Sequence, residues 1–223
     1  FAALSDEDNT VRTEALKAMN KIGLDADLTD AMLAFCTAGP ENLTVTIKRL
    51  AGMLKKVKQG EAAVGARILV SRLSDNVSAE NRKAVLKTLT GMIDTIISDM
   101  DTVEEVAEKV LRVFIREPEE MGFAAERFFE KVLPAGDQDL TEFLYNELLK
   151  LDDPRITSTL TSLLFPYKED QEEREKMVDH VLKYFNEVGP DEKSKRMVLN
   201  GLSDVDSEIV FSKIPEYFIK YDL

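Results

Sequence analysis

The chain has very few of the residues that build reactive or cross-linked sites. Its 223 residues include one cysteine, one histidine and no tryptophan. A single cysteine excludes a disulfide within the chain and fits a reducing compartment. Zinc sites need three or four converging cysteine, histidine or carboxylate ligands, which Cys36 and His180 do not supply. We therefore expect no metal and no other cofactor.

The signature motifs of common enzymes are also missing. The sequence contains no phosphate-binding loop of the Walker type, no dinucleotide-binding glycine motif and no nucleophile elbow. Cys36 closes an apolar segment, as a core residue does, and His180 is too distant along the chain to predict a nucleophile–base pair. Acidic clusters at 104–108 and 169–175 fall in first helical turns, where the helix dipole explains them. The sequence predicts a non-catalytic protein, with an enzyme of unfamiliar site chemistry as the alternative.

Long apolar runs are missing as well. No segment reaches the roughly 18 apolar residues that span a membrane, and no charged-then-apolar leader marks a signal peptide. These features predict an intracellular protein, cytoplasmic or nuclear. The chain begins with Phe1 instead of methionine, so we expect it to be part of a longer protein.

Glycine and proline, which interrupt helices, total 17 of the 223 residues. Residues that favour helix are plentiful, and no segment alternates polar and apolar residues for long enough to indicate a strand. The sequence therefore predicts an all-α fold. Apolar spacing and proline boundaries place twelve helices. They cover 9–23, 28–37, 41–58, 61–73, 78–98, 101–116, 118–132, 138–151, 154–165, about 169–189, a segment from Pro190, and about 207–221.

A short motif recurs along the chain. The tripeptide Leu-Ser-Asp occurs at 4–6, 73–75 and 202–204, and the residues after the first two copies align at an offset of 70, or two units of about 35. Its serine and aspartate can accept hydrogen bonds at a helix start. After the first copy, Arg12 can reach back to the acidic turn of its own or a neighbouring unit. An apolar stripe follows at helical spacing: Val11, Ala15, Met19 and Ile22.

This pattern resembles a HEAT repeat, the helix–turn–helix unit of many scaffold proteins, over 4–23, 73–96 and the opening turn at 202–209. The resemblance implies a HEAT- or armadillo-type α-solenoid of about six antiparallel helix pairs, in a single domain over 1–223. It also implies a protein–protein interaction scaffold that binds a partner peptide or domain, with the second helices of the pairs lining the binding face. An irregular helical bundle is the alternative architecture.

The net charge of −13 is unevenly distributed. Residues 48–87 carry ten basic and three acidic side chains, whereas the remainder carries −20. This segment is either the solvated outer face of helices or a ridge that binds an acidic protein segment. Nucleic-acid or phosphate binding is the second hypothesis, disfavoured because the acidic chain repels polyanions and no aromatic residues are interleaved. The candidate partner-binding residues are Lys48, Arg49, Lys55, Lys56, Arg67 and Arg72.

Overall fold

A computed structural model describes residues 2–4, 6, 8–21, 23–73, 77–187, 202, 205, 208–210 and 212–213. Within these residues every regular element is helical and no strand occurs, which confirms the predicted all-α class. Short 3₁₀ turns lie at Ala2–Leu4 and Phe165–Tyr167. The α-helices of this part of the chain are α1 (Asn9–Lys21), α2 (Ala26–Thr37), α3 (Pro40–Leu54), α4 (Gln59–Ser71), α5 (Ala79–Ile96), α6 (Met100–Arg116), α7 (Pro118–Val132), α8 (Gln138–Leu148), α9 (Pro154–Leu164) and α10 (Gln171–Glu187).

The helix starts carry the chemistry that the sequence indicates. Proline is the first residue of α3, α7 and α9, where its missing N–H has no acceptor to lose. At α2, α5, α6 and α8 a side chain accepts a hydrogen bond from a free backbone N–H of the first turn. These capping residues are Asp25, Ser78, Asp99 and Asp137.

The predicted boundaries of the first ten helices agree with the observed ones to within four residues. The largest difference is at α3, which ends at Leu54. Helix α4 begins at Gln59, two residues before the predicted start, and there Glu61 accepts a hydrogen bond from Lys58 N (3.2 Å) at the N-cap. The predicted eleventh helix lies outside the described residues, and the twelfth lies largely outside them. The serine and aspartate of the second and third Leu-Ser-Asp copies also lie outside them.

The buried face of α1 differs from the predicted one. The apolar spacing centred this face on Val11 and Met19, but the buried side chains of α1 are Arg12 and Leu16, and Val11 is 39% exposed. Arg12 can be buried because its Nη1 donates to Asp6 O at 2.6 Å, which gives the charged group an acceptor. The predicted reach of Arg12 to its own acidic turn is thereby confirmed.

The chain divides into two compact units, Phe1–Gly136 and Asp137–Leu223. In the first unit each helix packs against the next one along the chain, and further contacts join α2 to α4, α3 to α5, α4 to α6 and α5 to α7. Helix α4 is the most enclosed of them, since every residue from Ala62 to Ser71 is buried. The single domain and the solenoid arrangement stay predictions.

Polar side chains join helices of the first unit that lie one helix pair apart. Four hydrogen bonds between two side chains bridge residues separated by 35 to 38 positions, and each ties a helix to its next-but-one neighbour or to that neighbour's N-cap. This separation is close to the length of one helix pair. The four bonds are Thr44–Asn81 (2.8 Å), Arg67–Glu105 (2.8 Å), Arg82–Glu117 (2.5 Å) and Lys131–Asp94 (2.7 Å).

In the second unit α9 packs against both α8 and α10. The turn between α9 and α10 is held by Lys168, whose side chain is 6% exposed. Its Nζ lies 2.5 Å from Glu142 Oε2 on α8, 3.1 Å from Glu173 Oε2 on α10 and 4.1 Å from the centre of the Tyr145 ring. A buried cation with two carboxylates and a ring face is well compensated, so this lysine connects α8, α10 and the turn.

The contact between α3 and α4 yields a packing prediction. A Cβ atom at Gly65 would lie 2.3 Å from Cδ2 of Leu54, a buried side chain. We expect Gly65→Ala to lower the free energy of unfolding by roughly 1 to 3 kcal/mol. Gly91→Ala on α5, where the added Cβ meets nothing within 4 Å, is the matched control and should raise it by about 0.5 to 1 kcal/mol. Urea denaturation measures both, and a stability gain in Gly65→Ala would contradict this packing.

Candidate partner-binding surface

One of the six candidate residues, Arg67, lies inside the first unit. Its side chain is 8% exposed, and its Nε donates to Glu105 Oε2 at 2.8 Å. The other oxygen of this carboxylate lies 3.9 Å from Lys109 Nζ. A buried charge needs a partner of opposite sign, so this guanidinium joins α4 to α6. Arg67 is therefore not part of an exposed ridge.

Arg72, which follows α4, also contacts protein. Its Nη2 donates to Ala38 O at 2.9 Å, and its Nη1 to Cys36 O at 3.5 Å. The guanidinium carbon lies 5.8 Å from the centre of the Phe35 ring. These contacts satisfy carbonyl groups at the C-terminus of α2, which the helix itself leaves without a donor. The geometry assigns Arg72, like Arg67, to helix packing.

The other four candidates lie together on α3 or directly after it. Lys48 and Arg49 belong to α3, Lys55 follows it with helical dihedral angles (φ −69°, ψ −14°), and Lys56 is next in the chain. All four are exposed, and none has a hydrogen-bond or ion-pair partner for its side chain among the described residues. We call these four residues the α3 basic surface. The opposite face of α3 is buried and carries Leu43, Ile47, Leu50 and Leu54.

Positive charge continues onto α5. Lys83 and Lys87 are exposed, and the Thr44–Asn81 hydrogen bond ties α3 to α5. Helix α5 packs against α3, α4, α6 and α7, so its exposed side chains point to the side that these neighbours leave open. Neither lysine is among the six candidates. Their spacing of four residues, opposite the apolar face of α5, is the sequence signal that would have selected them.

The exposed basic residues lie on the first helices of the predicted pairs. We expected the second helices to line the binding face, but α4 is buried from Ala62 to Ser71. On the other second helices of the first unit, exposed acidic side chains occur, including Asp27 and Asp30 on α2 and Asp101 on α6. The concentration of positive charge is therefore on α3 and α5, the first helices of their pairs.

The two residues that most often carry chemistry are engaged in packing. Cys36 is buried in α2, and His180 on α10 is half-buried with its Nε2 3.0 Å from Leu151 O. Burial, and secondly the positive charge of Lys183, hold the pKa of His180 below its ordinary value. Within the described ranges, no three His, Cys, Asp or Glu side chains are grouped so as to hold a metal ion.

Two surface hollows of the first unit are lined in part by groups that already have partners. In one of about 440 Å³, the carboxylate of Glu117 pairs with Arg82 (2.5 Å) and with Arg116 (3.1 Å). Another, of about 340 Å³, lies beside Arg72 and Asn81, which are both hydrogen-bonded. These two hollows bring no nucleophile together with a base, and we place the candidate site on the α3 basic surface.

Comparison with known proteins finds no protein-family model that matches the chain, and no curated protein or solved structure that is significantly similar to it. Across the residues that the structure describes, no helix combines the length and the apolar character needed to cross a membrane. The HEAT-type architecture stays a prediction from the sequence motif.

The Arg67–Glu105 pair supports a stability prediction. Replacing the buried Arg67 with alanine leaves the Glu105 carboxylate without its closest partner, and we expect a loss of about 2 kcal/mol in the free energy of unfolding. The matched control is Arg112→Ala, because Arg112 is exposed and pairs with Glu108 on its own helix. Such surface pairs contribute about 0.5 kcal/mol or less. Equal losses in the two variants, measured by urea denaturation, would show that Arg67 is not buried as described.

His180 makes the stability of the protein depend on pH. Its pKa is lowered in the folded state, so the unfolded chain, with a pKa of about 6.5, binds the proton more readily. Stability should therefore fall as the pH drops through about 6.5. His180→Gln keeps an amide N–H for Leu151 O but does not titrate. We expect the melting temperature of the wild type to fall more than that of the variant between about pH 7.5 and pH 5.5; parallel curves would contradict this role.

Proposed function

We propose that the chain is a non-catalytic protein-interaction scaffold of stacked, HEAT-like helix pairs, and that it binds an acidic segment of a partner protein on the α3 basic surface. One observation carries the proposal: four exposed basic side chains, without partners among the described residues, lie on α3 or directly after it in a chain whose net charge is −13. Like charges held close together repel one another, and an acidic partner relieves that repulsion.

Contacts in the first unit support stacked pairs as the architecture. Among its described α-helices, the extensive contacts join helices one or two positions apart along the chain, and the 3₁₀ turn at Ala2–Leu4 also contacts α4. The four hydrogen bonds between side chains each span 35 to 38 residues, which is close to the length of one helix pair. In a repeat array each pair packs mainly against its neighbours, and such an array offers a broad outer face of the kind that a scaffold uses.

A protein partner is favoured over nucleic acid by what lies between the basic side chains. Val45, 67% exposed, and Gly52 separate the basic residues of α3, and neither can stack on a base as an aromatic side chain does. The chain as a whole also repels the phosphate backbone. An acidic peptide segment brings fewer charges and can supply apolar contacts to Val45.

Charge reversal on the α3 basic surface tests the function. Peptides selected by display against the immobilised wild-type chain should be acidic. We expect the triple variant Lys48→Glu, Arg49→Glu, Lys55→Glu to bind them about tenfold or more weakly at low salt. We also expect the affinity of the wild type to fall as salt is added, because exposed charges are screened.

A control variant carries the same change in net charge elsewhere. It reverses three exposed lysines on other parts of the surface, namely Lys17, Lys150 and Lys176. The control should bind the selected peptides within about twofold of the wild type. Selection of neutral or basic peptides, or an equal loss of affinity in the two triple variants, would show that the α3 basic surface is not the binding site.

A further inference from the structure

The exposed side of α3 carries three rows of residues with one spacing. The members of each row are seven residues apart, which is nearly two full helical turns, so each row follows one line along the helix with a rise of about 10 Å. The residues of the middle row are flanked by a basic row on either side. The rows are Val45 and Gly52 in the middle, Lys48 and Lys55 on one flank, and Arg49 and Lys56 on the other.

The middle row combines an exposed apolar side chain with a notch. Val45 is 67% exposed. Gly52 is also exposed, and a Cβ atom added to it would meet nothing within 4 Å. A second backbone can therefore approach α3 at Gly52 more closely than at any residue with a side chain. One exposed apolar side chain, a notch seven residues later and charged flanks share their seven-residue spacing and charged edges with the face that one helix presents to another in a coiled coil.

We propose that these three rows form a docking strip for one acidic amphipathic α-helix of a partner protein. The inference rests on the proposed function and adds the form of the partner. Apolar side chains of the partner helix pack against Val45 and into the notch at Gly52. Its acidic side chains, on both sides of the apolar row, pair with the two basic rows, as charged e and g residues do in coiled coils. The charge complementarity selects an acidic occupant.

A helix fits the strip better than an extended segment. Successive side chains of an extended peptide point to opposite faces, at about 3.3 Å per residue. One face of such a peptide presents a single row of side chains, whereas the three rows on α3 need an apolar row with an acidic row on each side. In a helix with a heptad pattern, the apolar row and both flanks repeat every seven residues, as the rows on α3 do. Helix α3 ends at Leu54; Lys55 still has helical dihedral angles, and Lys56 N bonds to Met53 O at 3.0 Å in the turn that closes the helix, so the two basic rows end at this turn.

The test uses a designed peptide and its permuted control. The probe has three heptads, about 21 residues, with leucine at a and d and glutamate at e and g, where repulsion between copies opposes self-association. The control peptide has the same composition with the heptad order scrambled. Fluorescence anisotropy with the full chain should show the probe binding about tenfold or more tightly than the scrambled peptide. Circular dichroism should show that the probe gains helix on binding.

Two glycine variants separate the strip from general charge attraction. Gly52→Gln fills the notch with a good helix former and leaves the net charge unchanged. Gly91→Gln makes the same change on α5, where a Cβ also meets nothing within 4 Å. We expect both variants to melt at or above the wild-type temperature, and only Gly52→Gln to weaken probe binding, by about tenfold.

Other outcomes overturn the strip. They are equal effects of the two glycine variants, tighter binding of a DNA duplex than of the probe, or a dimer of this chain that Gly52→Gln dissociates. If both peptides bind equally and the charge reversal of Lys48, Arg49 and Lys55 weakens both, the proposed function stands and the helical strip falls. If neither peptide binds, the strip is overturned, and the display selection decides the proposed function separately.

Discussion

The enclosure of α4 is the constraint on which the first unit depends. This helix is buried from Ala62 to Ser71, and it packs against α2, α3, α5 and α6. Small residues make this possible: Gly65 lets Leu54 of α3 lie directly against the α4 backbone. A helix surrounded in this way cannot present side chains to a partner, so the neighbours of α4 supply the solvated surface. The outer faces of α3 and α5 contribute to that solvated surface, and exposed basic side chains of both helices lie there.

The same enclosure divides the basic residues into two groups. Inside, a cation is tolerated only with its charge compensated, as Arg67 is by Glu105. On the outer faces water solvates each ammonium group, so Lys48 and Lys87 need no partner for stability. The basic residues of the segment 48–87 therefore have two different roles, although they follow one another in the sequence. Part of it holds helices together, and part of it is available for binding.

Much of the fold could be predicted because its signals are local. Prolines, capping aspartates and apolar spacing fix where helices begin and end, and these depend on residues within a turn or two of each other. The extent of burial of a helix is different, since it depends on how many neighbours surround it. The predicted α1 face was wrong because one of the two buried side chains of α1 is Arg12, whose charge is satisfied by a backbone oxygen that no apolar pattern indicates.

The candidate surface could be predicted in part, again for a physical reason. Charge counting selected the stretch 48–87, and Lys48, Arg49, Lys55 and Lys56 are exposed there. It could not separate them from Arg67, although apolar and small residues surround Arg67 on every side of its helix, which is a sign of enclosure. The contacts of Arg72 with the end of α2 join residues about 35 positions apart, and no local pattern reveals them.

A recurring arginine shows how packing can be told from function in this chain. The fourth residue of α1, α5 and α10 is an arginine, and each one donates to a backbone oxygen of the preceding loop, five or six residues earlier. The bonds are Arg12 to Asp6 O, Arg82 to Val77 O and Arg174 to Lys168 O. These arginines satisfy loop carbonyls at helix starts, which accounts for their recurrence without a ligand. No equivalent bond accounts for the four basic residues of α3, so packing does not explain their concentration there. Water solvates these side chains in the free protein, and in our proposal an acidic partner segment supplies the opposite charge, which is why we place binding there.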